Sequence, residues 1–211
     1  MKKTKVNFSS GGLFLEGILA IPEGAGPFPA VIVCHPHPLY GGSMDNNVVN
    51  SFSETLTRAS LASLKFNFRG VGESQGEFSQ GIGEQEDVKA AISFINTVRE
   101  VDSKRIGLAG YSAGAGFALP VGFNDDRIKA LAAVSPPLPM FDFGFLKGCP
   151  KPKFLISGSR DDLIPINQLL EFCQSLPEPK ECEGIEGADH FWWGYESRLA
   201  AKVAAFFTKV L

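Results

Sequence analysis

The chain lacks both an apolar run long enough to cross a bilayer and the core of a signal peptide. A membrane-spanning helix needs about 20 consecutive apolar residues, and no segment of the 211 residues approaches that length. The amino-terminal segment is basic, but its apolar residues alternate with polar ones and Glu16 interrupts them. A secretory signal instead has a continuous apolar core. The sequence therefore predicts neither a membrane span nor secretion.

An excess of positive charge is also missing, because the formal net charge is −3 at pH 7. Proteins that bind nucleic acids or anionic membranes do so through basic surfaces. This composition offers no such general attraction. We therefore expect no nucleic-acid partner and no membrane partner.

Cysteine is scarce, and the four cysteines lie far apart in the chain. They occupy positions 34, 149, 173 and 182 and form no C-x-x-C pair. Redox motifs and zinc sites depend on close, regular spacing of their ligands, so we expect no metal and no cofactor. Scattered cysteines in a chain of this size are interpreted as reduced thiols. Together with the missing signal peptide, they predict a cytoplasmic protein.

What the chain does contain is an alternation of strand-like and helix-like segments. Two alternating runs on either side of Gly11-Gly12 predict an N-terminal antiparallel hairpin. Further strands are expected at 29–36, 63–70, 105–112, 128–137, 154–159 and 180–188, and helices at 46–60, 83–101, 113–123, 166–176 and 198–211. This order predicts an α/β fold in one domain, residues 1–211, with a mainly parallel sheet of about eight strands and helices on both faces. Ligands of such sheets bind beyond the carboxyl ends of the strands.

The pattern G-x-S-x-G, which can mark a nucleophilic serine, occurs twice. Ser112 in GYSAG stands between strand 105–112 and a helix of small residues, which is the strand-to-helix turn that a nucleophile elbow requires. Ser74 in GESQG also follows a strand, but a glycine-rich loop continues after it. The local context therefore favours Ser112 as the nucleophile and Ser74 as a loop serine.

A serine nucleophile needs a base, and the base needs an acid to orient it. The chain has only three histidines, and His190 is the one that lies just past the last predicted strand. Asp161 and Asp162 directly follow strand 154–159, and we prefer Asp161 as the acid. The order Ser112, Asp161, His190 matches the chain order of one known triad arrangement.

Two backbone N–H groups are candidates for holding a developing oxyanion. The first is that of Ala113, the residue after the nucleophile. The second is that of His37 in the segment HPHP, since Pro36 and Pro38 have no N–H to donate. The alternative interpretation of His35 and His37 as a metal-binding pair would need a third ligand, which the chain does not obviously provide.

Taken in order, these motifs resemble the α/β-hydrolase superfamily, in particular small bacterial serine hydrolases similar to dienelactone hydrolase and to prolyl-oligopeptidase-type catalytic domains. The resemblance rests on HPHPLYGG, FRGVGES, GYSAG, GSRDD and GADHF. It implies Ser112 as nucleophile, Asp161 as acid, His190 as base and His37 as the first-loop oxyanion amide. It also implies that Ser74 belongs to a structural turn. The connection at about 137–153 is too short for the helical cap domain that many relatives carry.

The expected chemistry is acyl transfer to water with a small-molecule acyl substrate. A short-chain carboxylic ester is the expected bond. Thioester and peptide hydrolysis use the same groups and stay open, as does a hydrolase-like fold that has lost catalysis and acts as a binding module.

Overall fold

The computed structural model describes residues 1–211 and contains one eight-stranded sheet surrounded by five α-helices. The strands are β1 (Lys2–Ser10), β2 (Leu13–Ile21), β3 (Phe28–Cys34), β4 (Ala62–Phe66), β5 (Val101–Tyr111), β6 (Ile128–Val134), β7 (Lys153–Gly158) and β8 (Lys180–Ile185). The helices are α1 (Asn47–Arg58), α2 (Ile82–Ile95), α3 (Ala113–Asn124), α4 (Ile166–Gln174) and α5 (Glu196–Val210). None of these helices is long and apolar enough to cross a membrane. The predicted α/β fold is confirmed.

The largest difference from the predicted boundaries is at the end of α2. The apolar pattern of residues 83–101 predicts one helix, whereas α2 ends at Ile95. Val101 instead begins β5, where it pairs with Phe28 of β3. The pairing of two strands overrides a helical pattern that the local sequence alone supports.

The sheet has the strand order β1-β2-β4-β3-β5-β6-β7-β8. β1 and β2 form the predicted antiparallel hairpin, and β2 is also antiparallel to β4. All strand pairs from β4 to β8 are parallel. The carboxyl ends of these six strands therefore meet at one edge, which we call the carboxyl edge.

The central strands are buried on both faces, as their continuous apolar sequences predict. On one face, α2, α3 and α4 contribute Val88, Phe117 and Leu169 to a large apolar cluster. On the other face, α1 and α5 contribute Phe52 and Phe207 to a second cluster. The two layers of helices hold the sheet rigid while leaving its carboxyl edge free.

The connection between β6 and β7 contains no cap domain. Its only regular element is a short 3₁₀ turn at Gly144–Gly148. The absence of a lid agrees with the prediction from the length of this connection, and it leaves the carboxyl edge open.

The prediction of four reduced cysteines is wrong for two of them. Cys173 on α4 and Cys182 on β8 form a disulfide, with their Cα atoms 6.4 Å apart, whereas Cys34 and Cys149 are buried free thiols. Because α4 packs against β8, the fold brings together two cysteines whose spacing matches no recognisable motif. The cysteine content therefore gives no support to a cytoplasmic location, which stays a prediction.

The close approach of β5 to α3 leads to a stability prediction. A Cβ added at Gly110 would lie 2.4 Å from the Ala115 Cα, and only a backbone shift can relieve that overlap. We expect Gly110→Ala to lower the free energy of unfolding by about 1–3 kcal/mol, measured by urea denaturation. The control is Gly148→Ala, where nothing lies within 4 Å and the expected change is within about 0.5 kcal/mol. Equal losses in the two variants would contradict this prediction.

Candidate active site

Ser112 occupies a strained turn between β5 and α3. Its backbone has φ 53° and ψ −126°, a region that costs a non-glycine residue on the order of 1–3 kcal/mol. Its N–H donates to the carbonyl of Val134 at 2.8 Å, which ties the turn to the end of β6. The turn places a half-buried serine side chain at the carboxyl edge.

Two glycines allow this turn to form. Gly110 meets the backbone of α3, as described above. A Cβ added at Gly114 would lie 2.4 Å from the carbonyl oxygen of His35 and 2.5 Å from that of Cys34. The first turn of α3 therefore lies directly against the end of β3, and the loop after β3 is held beside Ser112.

The structure brings Ser112, His190 and Asp161 together from the ends of β5, β8 and β7. His190 Nε2 lies 3.1 Å from Ser112 Oγ. His190 Nδ1 lies 2.9 Å from Asp161 Oδ2 and 3.1 Å from Oδ1. The alternative acid, Asp162, is exposed and makes no hydrogen bond to His190. An imidazole placed between a hydroxyl and a carboxylate can accept the hydroxyl proton as a general base.

The carboxylate of Asp161 is buried but fully hydrogen-bonded. Its Oδ1 accepts from the N–H groups of Leu163 at 3.1 Å and Ile164 at 2.8 Å, and its Oδ2 accepts from Ser157 Oγ at 3.1 Å. Burial by itself raises the pKa of Asp161, but the hydrogen bonds from His190 and Ile164 outweigh it and hold this pKa below its ordinary value. The carboxylate is therefore ionised at neutral pH and can stabilise a protonated imidazole.

A chain of buried hydrogen bonds lies behind Asp161. Trp192 Nε1 donates to Ser135 Oγ at 3.2 Å, and Ser135 Oγ lies 3.4 Å from Ser157 Oγ. An indole N–H can only donate, so the Ser135 hydroxyl is free to donate to Ser157, and Ser157 donates to Asp161. The sequence analysis did not predict this series of hydrogen bonds. The feature that could have indicated it is a serine at or next to the carboxyl end of β6 and of β7, each beside an otherwise apolar run.

The loop that carries His190 is held in place by two side chains, Tyr111 and Asp189, that hydrogen-bond to its main chain. The Tyr111 hydroxyl donates to the His190 carbonyl at 2.7 Å. The Asp189 carboxylate accepts from the N–H groups of Phe191 at 3.0 Å and Trp192 at 2.8 Å. These contacts fix the imidazole without using either ring nitrogen.

His35 orients the peptide that contains the His37 N–H. The N–H of Phe68 donates to His35 Nε2 at 3.1 Å, so the ring proton must be on Nδ1, which donates to the Pro36 carbonyl at 2.7 Å. In a trans peptide the N–H points away from the carbonyl, so the His37 N–H is directed away from His35. Both nitrogens of His35 are engaged, and neither is free to bind a metal.

His37 contributes a free backbone donor beside the first turn of α3. Neither its N–H nor that of Ala113 donates to another group of the protein. Its carbonyl accepts from the N–H groups of Tyr40 and Gly42, each at 3.1 Å, and its ring Nδ1 accepts from Leu39 N–H at 3.2 Å. The segment is therefore held rigidly, with one donor left unused.

The second G-x-S-x-G serine has a structural role. Ser74 is buried, and its hydroxyl donates to the Asn67 carbonyl at 2.7 Å and accepts from the Glu16 N–H at 3.1 Å. The Asn67 side chain in turn accepts from Met44 N–H at 2.7 Å and donates to Glu16 at 2.6 Å. These contacts join β2 to the loops after β3 and β4, and no histidine reaches Ser74.

This fold defines the class of the protein, an α/β serine hydrolase without a lid. The structure of an α/β serine hydrolase homologue from Coxiella burnetii is similar to this chain with a TM-score of 0.88 and 32% identity, covering 97% of both chains. The structure of XC6422 from Xanthomonas campestris, an α/β serine hydrolase without lid, is similar with a TM-score of 0.89 and 25% identity. That similarity covers 100% of this chain and 96% of XC6422.

Within this class, residues 12–169 match the model of the family described as X-Pro dipeptidyl-peptidase (S15 family). The chain therefore belongs to that family of the α/β-hydrolase superfamily. It is also similar to the uncharacterized protein RP471 of Rickettsia prowazekii, with 34% identity over 172 residues, which cover 78% of this chain and 72% of RP471. The resemblance to the α/β-hydrolase superfamily is confirmed.

The buried His35 predicts a loss of stability in acid. Burial lowers the pKa of His35 to about 4, against the opposing effect of its hydrogen bond to Pro36, while an unfolded histidine titrates near 6.5. Between these values the unfolded chain binds a proton that the folded chain does not. The free energy of unfolding should therefore fall by about 3 kcal/mol as the pH drops from about 6.5 to about 4.

Urea denaturation at a series of pH values measures this effect. His35→Gln keeps a polar side chain but cannot titrate in this range, so its stability should depend less steeply on pH than that of the wild type. Parallel pH dependences in the two proteins would show that His35 is not the group responsible.

Proposed function

We propose that the protein is a serine hydrolase that cleaves small carboxylic esters through an acyl-enzyme. The observation that carries this proposal is the hydrogen-bonded series from Ser112 Oγ to His190 Nε2, at 3.1 Å, and from His190 Nδ1 to Asp161. A nucleophile, a base and an orienting acid in this geometry are the requirements of nucleophilic catalysis by serine. A glycine would adopt the backbone conformation of this turn with less strain, so the presence of a serine at position 112 points to a use of its hydroxyl.

In the first step Ser112 Oγ attacks the ester carbonyl carbon, and His190 Nε2 accepts the hydroxyl proton. Asp161 stabilises the resulting imidazolium through Nδ1. The carbonyl oxygen becomes an oxyanion, and the free N–H groups of Ala113 and His37 are the donors proposed to hold it. When the tetrahedral intermediate collapses, the bond to the alcohol oxygen breaks, and the imidazolium returns its proton to the leaving alcohol.

In the second step a water molecule replaces the alcohol. His190 takes a proton from the water as its oxygen attacks the acyl carbon, and the same two N–H groups hold the second oxyanion. The intermediate then expels Ser112 Oγ, which recovers its proton from His190. The carboxylic acid is released, and the site returns to its initial protonation state.

The rings beside the proposed oxyanion donor can pack against the acyl group of a small ester. The His37 ring lies 4.7 Å from that of Tyr40 and 4.8 Å from that of Phe78. Peptide hydrolysis, which the family description suggests, would use the same catalytic groups and is an alternative that the matched substrates below distinguish. Thioester hydrolysis would use the same groups and is the second candidate.

Active-site labelling tests the choice of nucleophile. A fluorophosphonate should label the wild type, and Ser112→Ala should abolish labelling and remove on the order of 10⁶ of kcat, assayed on matched ester, thioester and amide substrates. Ser74→Ala should keep labelling and most activity, because the Ser74 hydroxyl is bonded to two main-chain groups and takes no part in the proposed reaction. Absence of labelling in folded wild type would instead favour the non-catalytic binding module, and loss of activity only at Ser74 would reverse the assignment.

A pair of substitutions at one position tests the oxyanion donor. His37 has φ −54°, which proline can adopt, so His37→Pro removes the N–H while matching the backbone. We expect His37→Pro to lower kcat by about 10²–10³-fold. His37→Ala loses the ring but keeps the N–H, and should lose less than about tenfold. Equal losses in both variants would show that the ring, and not the N–H, matters.

A further inference from the structure

Exposed apolar side chains are concentrated around the proposed site. Ten large hydrophobic side chains are exposed in the whole chain, and six of them lie on the loops that follow β3, β6, β7 and β8 at the carboxyl edge. Each of the six exposes more than half of its surface. We call this set the apolar rim: Leu39, Tyr40, Met140, Leu163, Phe191 and Trp193.

Members of the apolar rim adjoin three residues of the proposed machinery, His37, His190 and Asp161. The Tyr40 ring lies 4.7 Å from the His37 ring, and the Phe191 ring stands edge-on to the His190 ring at 5.6 Å. Leu163 donates its N–H to the Asp161 carboxylate. The rim is therefore built on the same loops that hold the proposed catalytic groups.

Two of these loops are packed against helices that border the proposed site. Phe141, next to Met140, lies 5.4 Å ring to ring from Phe117 of α3 and covers Gly116, four residues after Ser112. On the other side, the side chain of Asn47 at the start of α1 donates to the Phe191 carbonyl at 3.1 Å. The loops after β6 and β8 are thus held against α3 and α1, on either side of the sheet.

The exposed area is large for a site that binds only a small soluble ester. Tyr40, Phe191 and Trp193 together expose on the order of 400 Å², an unusual concentration of exposed aromatic surface at one edge of a sheet. These side chains lie on loops at the carboxyl edge, so a large body that contacts several of these loops is brought to the edge that carries Ser112. The partner expected on the apolar rim is therefore the substrate itself, which carries the bond to be cleaved.

The charges on these loops indicate what kind of surface the apolar rim can approach. Their exposed cations are Lys147 and Arg160. Their exposed carboxylates are more numerous: Asp45, Glu73, Glu77, Asp142, Asp162 and Glu186. This excess of negative charge repels an anionic surface, while the exposed side chains of the rim itself are uncharged and can pack against an uncharged apolar surface.

We propose that the apolar rim binds the surface of an aggregated, uncharged acyl ester, such as a droplet or micelle, and presents its ester bonds to Ser112. This inference rests on the proposed function and specifies its substrate class as esters that are poorly soluble in water. No closure of a lid is needed, because the carboxyl edge is open. The apolar side chains gain contact with the ester as it is transferred from its aggregate.

The kinetic test compares hydrolysis of tributyrin below and above its solubility limit. The wild-type rate should rise at least several-fold when droplets form. In the double variant Phe191→Ser, Trp193→Ser the ratio of the two rates should fall close to one, because the variant gains nothing from the droplet surface. Phe14→Ser is the matched control, because Phe14 is 60% exposed and Phe191 57%, while Phe14 lies on β2, three strands from β5. The ratio should be unchanged in that control.

A binding test is independent of catalysis. Inactive Ser112→Ala protein should float with tributyrin droplets, and should do so less when the droplets contain an anionic lipid. The Phe191→Ser, Trp193→Ser substitutions in that background should abolish flotation, and Phe14→Ser should not. Binding by the inactive protein, with no hydrolysis by the wild type, would overturn the proposed function but support the apolar rim. Hydrolysis with neither flotation nor a rise in rate on droplets would overturn the proposed role of the apolar rim and leave the proposed function standing.

Discussion

The close packing of α3 against the ends of β3 and β5 is the constraint on which the whole site depends. Gly110 and Gly114 have no Cβ, so the first turn of α3 can touch the backbone of both strands. This contact forces Ser112 into a conformation with φ 53°, and it also brings the loop containing His37 beside the free N–H of Ala113. One steric arrangement thus positions the serine hydroxyl and both candidate oxyanion donors.

The polar groups at the carboxyl edge depend on that frame because burial makes each of them costly unless it is hydrogen-bonded. Asp161 is ionised within the fold only because neighbouring N–H groups, Ser157 and His190 satisfy it. His35 is neutral, and its two nitrogens join the loops after β3 and β4. Every buried side-chain polar atom has a partner. These hydrogen bonds hold Asp161, His190 and His35 in one arrangement. They leave the N–H groups of His37 and Ala113 without a partner in the protein.

Much of this arrangement could be predicted from local patterns. The alternation of apolar strands and amphipathic helices predicts the sheet, and the glycines and alanines around Ser112 predict the tight turn. Chain order predicts which aspartate and histidine approach it, since parallel strands place their ends at one edge. The chain Trp192–Ser135–Ser157 was not predictable in this way, because three residues distant in sequence meet only once β6, β7 and the loop after β8 are packed together.

The sequence by itself determined the fold class, the position of the strained serine and the identity of its candidate partners, because these follow from short-range periodicity and from the steric demands of single residues. Only the tertiary structure decided which groups touch. It gave Ser74 a role in main-chain contacts and joined Cys173 to Cys182. It also left the apolar side chains around Ser112 exposed. Contacts and exposure depend on how distant segments pack, and the periodicity of a single segment carries no information about them.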